Sequence, residues 1–119
     1  MADKLYNLKK LKEIAQGNDG FIQEMVVTFI ENVTNEIESI QKLKATENWM
    51  AIAEISHKLA SNFAYLGSDM LHALAGDIEK SVINDHNFNN VAEKADRMCT
   101  EGRLLISELK KDFTITDII

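Results

Sequence analysis

The sequence predicts an all-α protein: an antiparallel up-down-up-down four-helix bundle with a short N-terminal lid helix. Three observations lead there. Apolar residues recur at three- and four-residue steps along most of the chain. There is no proline, and the five glycines, with short Asn, Asp and Ser clusters, supply the punctuation. Strand-like composition is confined to the last residues, Thr114-Ile-Thr-Asp-Ile-Ile119.

The first element is a short helix from about Leu5 to Gln16, with Leu8, Leu11, Ile14 and Ala15 inward and Gly17 as its stop. Asn18 and Asp19 then cap a helix from about Phe21 to Lys44, on the order of 35 Å long. Its stripe is Ile22, Met25, Val26, Phe29, Val33, Ile37 and Ile40. Thr46 to Asn48 breaks it, and Asn48 caps a third helix from Trp49 to Leu66 that buries Ile52, Ile55, Ser56, Leu59, Phe63 and Leu66. Gly67 ends that helix and Ser68 caps a fourth, about Asp69 to Asn84, with Leu71, Leu74, Ala75, Ile78 and Val82 inward. After the turn Asp85-His86-Asn87 comes a fifth, about Asn90 to Lys111, with the seam Val91, Ala95, Met98, Gly102, Leu105 and Leu109. A glycine in mid-seam costs about 1 kcal/mol of helix propensity, so Gly102 marks a close helix approach. Connections this short make neighbouring helices antiparallel. Residues 1–113 read as one domain and 114–119 as a short tail.

Composition excludes several function classes. A chain of 119 residues holds one domain, and its net charge of -6 argues against nucleic acid or an anionic membrane as partner. One cysteine, Cys99, forms no internal disulfide and fits a reducing compartment. No apolar run is long enough for a membrane span, and Met1-Ala2-Asp3-Lys4 does not open a secretory signal. The expectation is a soluble, cytoplasmic monomer.

The third helix carries the chemistry. At about 100° per residue, Leu59 centres its buried stripe and His57 falls roughly 160° away, on the solvent side. Met50, Ala53, Glu54, Ser61 and Ala64 share that face, with Ala60 to one side and Lys58 and Tyr65 to the other. A solvated face ordinarily carries Lys, Glu and Gln. Here a single imidazole is surrounded by small side chains, which let a macromolecule approach it, with Met50 offering it apolar contact. The plain alternative is an alanine-rich helix with one surface histidine.

The segment Ser56-His57-Lys58-Leu59-Ala60-Ser61-Asn62-Phe63-Ala64-Tyr65-Leu66-Gly67 resembles the signature of histidine-containing phosphotransfer (HPt) domains, approximately His-x-Leu-Lys-Gly-Ser-x-x-x-Leu-Gly. His57, Leu59, Leu66 and Gly67 match in identity and spacing, and the likeness extends over residues 5 to 112 or so. It implies a phosphorelay intermediate. His57 would accept a phosphoryl group through Nε2 from a receiver-domain aspartyl phosphate and pass it to another receiver aspartate. An imidazole, with an ordinary pKa of about 6.5, is largely neutral at cytoplasmic pH and so can attack. The implied partners are response-regulator receivers or a hybrid histidine kinase. No cofactor is expected on this chain, with Mg²⁺ and a lysine on the receiver neutralising the transition state. The chain departs from the family pattern at two positions: Ala60 stands where the family has a lysine, and Ser61 where it has a glycine. Lys58 and Ser61 are the candidates for phosphate support, and Met50, Ala53, Glu54, Ala60 and Ala64 for the docking face.

Two rivals remain. Glu54-x-x-His57 and Asp69-x-x-His72 have the spacing of di-iron bundles, but those ligands must project inward, and apart from Glu36 the further inward glutamates are missing. Alternatively, the bundle is a non-phosphorylated adaptor or inhibitor that binds a receiver or kinase, a reading that the missing lysine keeps open. His72 reads as a boundary residue, His86 as a turn residue, Cys99 as a small buried hydrophobe, and Trp49 and Phe63 as core.

Overall fold

The structure, a computed structural model, describes residues 5–113, so the expected tail at 114–119 lies outside the described residues. Five helices follow in order: α1 (Lys9–Ala15), α2 (Asp19–Ala45), α3 (Trp49–Tyr65), α4 (Asp69–Ile83) and α5 (Val91–Asp112). Among the described residues there is no strand, and no helix is long and apolar enough to cross a membrane.

Local side chains set most boundaries. The Phe21 N–H donates to Asn18 Oδ1 at 3.0 Å to start α2, and the Ala51 N–H donates to Asn48 Oδ1 at 3.2 Å to start α3. Ser68 occupies the corresponding place before α4, but its buried side chain makes no capping bond there. The opening helix is shorter than its apolar spacing suggests, because the chain before it is held by α3. The Asn7 N–H donates to the Leu66 carbonyl at 2.9 Å, while Asn7 Oδ1 takes the Lys9 N–H at 2.9 Å. The helix cannot begin until those groups have been used. This contact also fixes Gly67: its φ is +71°, and a Cβ there would stand 2.1 Å from the Asn7 carbonyl oxygen. The Tyr6 hydroxyl donates to Asp112 at 2.6 Å, tying the same segment to the end of α5, and burial and this bond push the phenol pKa far up.

Helices α2 to α5 touch in a closed ring, α2 against α3 and α5, and α4 against α3 and α5, with α1 packed on α2. From α2 the core takes Ile22, Val26, Ile30, Val33, Ile37 and Ile40. Ile30 belongs to this stripe although the expected pattern omits it, whereas Met25 and Phe29 sit at its edge. Ile14 is 47% exposed, and α1 packs through Leu11 and Ala15 instead. Trp49 is only half-buried, while Phe63 is fully enclosed. Cross-helix polar pairs such as Lys94–Asp77 at 2.8 Å and Arg103–Gln41 at 2.8 Å lie on the surface and contribute little.

Gly102 is a close-approach site. A Cβ there would lie 2.8 Å from Ile37 Cδ1 and 3.6 Å from Phe63 Cζ, so α2, α3 and α5 meet over its bare backbone. Gly102→Ala should therefore lower stability by about 1–3 kcal/mol through overpacking. Adding Ile37→Val, which deletes the obstructing methyl, should recover part of the loss in thermal melts followed by circular dichroism.

Candidate functional site

Helix α3 packs against α2 on one side and α4 on the other, so it buries two adjacent stripes. Its enclosed residues are Ile52, Ala53, Ser56, Leu59, Ala60 and Phe63, an arc displaced from Leu59 toward α4. This corrects the expected docking face. Ala53 is 0% exposed and Ala60 9%, because α4 lies over that flank. Their small side chains serve the approach of α4, not of a partner. Ser56, on the same flank, has its Oγ buried with no hydrogen-bond partner among the described residues.

Opposite this arc the structure places His57, Met50, Glu54, Lys58 and Ser61 on one exposed face, with Ala64 half-buried at its edge. The His57 side chain is 68% exposed. Its ring is not unrestrained, since His57 Nδ1 lies 2.9 Å from Glu79 Oε2 on α4. A carboxylate only accepts, so Nδ1 carries a hydrogen, and in the neutral imidazole the lone pair therefore lies on Nε2. One polar contact thus fixes both the ring's orientation and its tautomer.

Glu79 is the residue that the sequence reading lacked. It sits at the edge of the α4 stripe, beside Ala75 and Val82, where an acidic residue reads as ordinary solvent exposure. The available signal was the tight turn at Gly67-Ser68: counting equally back and forward from it across antiparallel helices leads from His57 to the neighbourhood of Glu79. A second contact repeats the pattern. His72 Nδ1 lies 2.8 Å from the Ala60 carbonyl, which also only accepts, so this nitrogen is the donor.

Toward α2, Asn62 Nδ2 donates to Glu36 Oε1 at 2.8 Å. Burial pushes the Glu36 carboxyl up, opposed by the Asn62 bond and by the charge of Lys58. Lys58 therefore leans to the α2 shoulder of α3 while His57 leans to the α4 shoulder. Burial also raises the Cys99 thiol, consistent with a packing role. Of the residues considered for a di-iron site, His57 meets Glu79, His72 meets the Ala60 carbonyl, and Glu36 accepts from Asn62. Among the described residues no three of His, Cys, Asp and Glu gather to hold a metal. A groove of about 290 Å³ between α2 and α5, floored by Ile37 and Ile106, lies across the bundle from His57.

The family model of the Hpt domain matches residues 24–112, which contain all of α3, α4 and the His57–Glu79 contact. No curated protein and no solved structure matched the chain.

The Glu36 environment gives a signed pH dependence. Its folded pKa is raised, so the unfolded chain ionises first, and stability falls as pH rises through the folded value. Glu36→Gln keeps an acceptor for Asn62 and removes the buried charge. The variant should melt higher than wild type at pH 7, with the difference vanishing below the ordinary glutamate range. An equal gain at every pH would contradict this assignment.

Proposed function

The chain belongs to the Hpt domain family, which performs phosphotransfer in two-component systems, and on that premise we propose that it is a phosphorelay intermediate with His57 as its phosphoacceptor. The observation that carries this reading is the exposed His57 ring, held through Nδ1 by Glu79 so that Nε2 presents its lone pair to an incoming protein.

The chemistry follows from that geometry. Nε2 of neutral His57 attacks the phosphorus of a receiver's aspartyl phosphate. The N–P bond forms as the acyl P–O bond breaks, and the aspartate leaves as carboxylate. The hydrogen stays on Nδ1, so positive charge develops on the ring 2.9 Å from the Glu79 carboxylate, which offsets it without having to reorganise. Transfer onward to a second receiver aspartate reverses each step. Mg²⁺ belongs to the receiver, and this chain binds no cofactor of its own. Lys58 and Ser61 flank the ring on the exposed face and would support the phosphoryl oxygens, with Lys58 swinging over from the α2 shoulder. Met50, Glu54 and Ala64 border the approach.

The same reading takes residues 1–113 as one bundle, up-down-up-down through α2 to α5 with α1 as lid, acting as a cytoplasmic monomer. Its partners are receiver domains, a hybrid histidine kinase, or both. One feature favours a second reading: Ala60 replaces the family's lysine, as a phosphate-free adaptor or inhibitor would tolerate.

Incubation with a phosphorylated receiver and Mg²⁺ separates the two. Wild type should acquire acid-labile, alkali-stable label and His57→Gln none, while the melting temperature moves by less than about 3 °C because the side chain is exposed. Label persisting on the variant would remove His57 from the mechanism; binding without label on wild type would favour the adaptor. Glu79→Ala should still accept phosphate but about tenfold or more slowly, the cost of losing one charge-assisted hydrogen bond. A wild-type rate in that variant would show that the carboxylate has no part in transfer.

A further inference from the structure

Gly76 lies in the interior of α4, where a glycine is markedly less favourable than alanine. Two other glycines, Gly67 and Gly102, have structural reasons, a positive φ or a neighbour that a Cβ would strike. Gly76 has neither. Its φ is not positive, and a Cβ built on it meets no heavy atom within 4 Å among the described residues. The fold would accept a side chain here and gain stability from it.

The place of Gly76 supplies the reason. At about 100° per residue, His72, Gly76, Glu79 and Ile83 fall along one strip of α4 roughly 60° wide. The residues on either side of Gly76 in that strip both reach across to α3: His72 to the Ala60 carbonyl at 2.8 Å, Glu79 to His57 at 2.9 Å. A side chain at position 76 would thus rise from the α3–α4 seam between those two contacts, one turn from the carboxylate that holds the reactive ring.

We infer that Gly76 is kept bare so that the loop carrying the donor's aspartyl phosphate can descend onto the seam beside His57. In-line attack needs the phosphorus about 3–3.5 Å from Nε2, and the chain flanking that aspartate must then lie against the surface around the ring. A missing side chain one turn from Glu79 leaves room for it. Gly76 is in these terms a specificity-determining residue for protein donors, acting by clearance and touching no reacting atom. This inference rests on the relay function proposed above.

The test compares wild type with Gly76→Ala and Gly76→Gln, using two phosphodonors. From a phosphorylated receiver, transfer should slow several-fold in the alanine variant and more than tenfold in the glutamine variant. From phosphoramidate, a donor too small to meet the seam, all three proteins should be labelled on His57 at similar rates. Both variants should melt a few degrees higher than wild type, by about 3–5 °C for alanine. Unchanged receiver kinetics in both variants would overturn the inference. So would a lower melting temperature for Gly76→Ala, which would assign the glycine to packing, or an equal slowing with phosphoramidate, which would assign it to the ring's chemistry. If wild type itself takes no label from any receiver, the relay reading has failed, and that outcome is visible before any variant is made.

Discussion

The close approach of α4 to α3 is the constraint on which the rest of the site depends. It is made possible by Ala53, Ser56 and Ala60 on α3, all enclosed, and by Ala75 on the facing stripe of α4. Larger residues at these positions would hold the helices apart. The Glu79 carboxylate would then no longer reach His57 Nδ1, nor His72 the Ala60 carbonyl. The chemistry of one exposed ring is thus set by apolar packing beneath it.

That arrangement resolves a conflict inherent in a surface nucleophile. A histidine open enough for another protein to reach is also free to rotate and to exchange tautomers. Here a single carboxylate restrains both freedoms and leaves the side chain 68% exposed. In the relay proposed for this chain, the same carboxylate would balance the charge that develops as Nε2 bonds to phosphorus. Elsewhere the chain spends its polar groups on closure: Asn7 on Leu66, Tyr6 on Asp112, Asn62 on Glu36. The first two of these hold the segment before α1 against the ends of α3 and α5, which keeps the His57 helix anchored at the turn from which α4 starts.

Much of this was legible in the sequence, for physical reasons that differ by residue. The caps Asn18 and Asn48 act through bonds to their own near neighbours, so local pattern suffices to find them. Gly102 was recognisable because a glycine in an apolar seam has few explanations. The outward direction of His57 followed from helical period alone. What escaped depends on other elements. The length of α1 is set by a bond to the far end of α3, and Ile14 faces solvent because α1 is too short to bury a second stripe. Ala53 and Ala60 read as surface because one stripe was assumed where α3 buries two. Glu79 could be placed only by pairing α4 with α3 across their turn.

The atom that takes the phosphoryl group is read directly by ³¹P–¹H–¹⁵N correlation spectroscopy of the phosphorylated protein. A single phosphohistidine is expected, at His57, with phosphorus on Nε2 and the hydrogen retained on Nδ1. Phosphorus on Nδ1, or on His72 or His86, would contradict it.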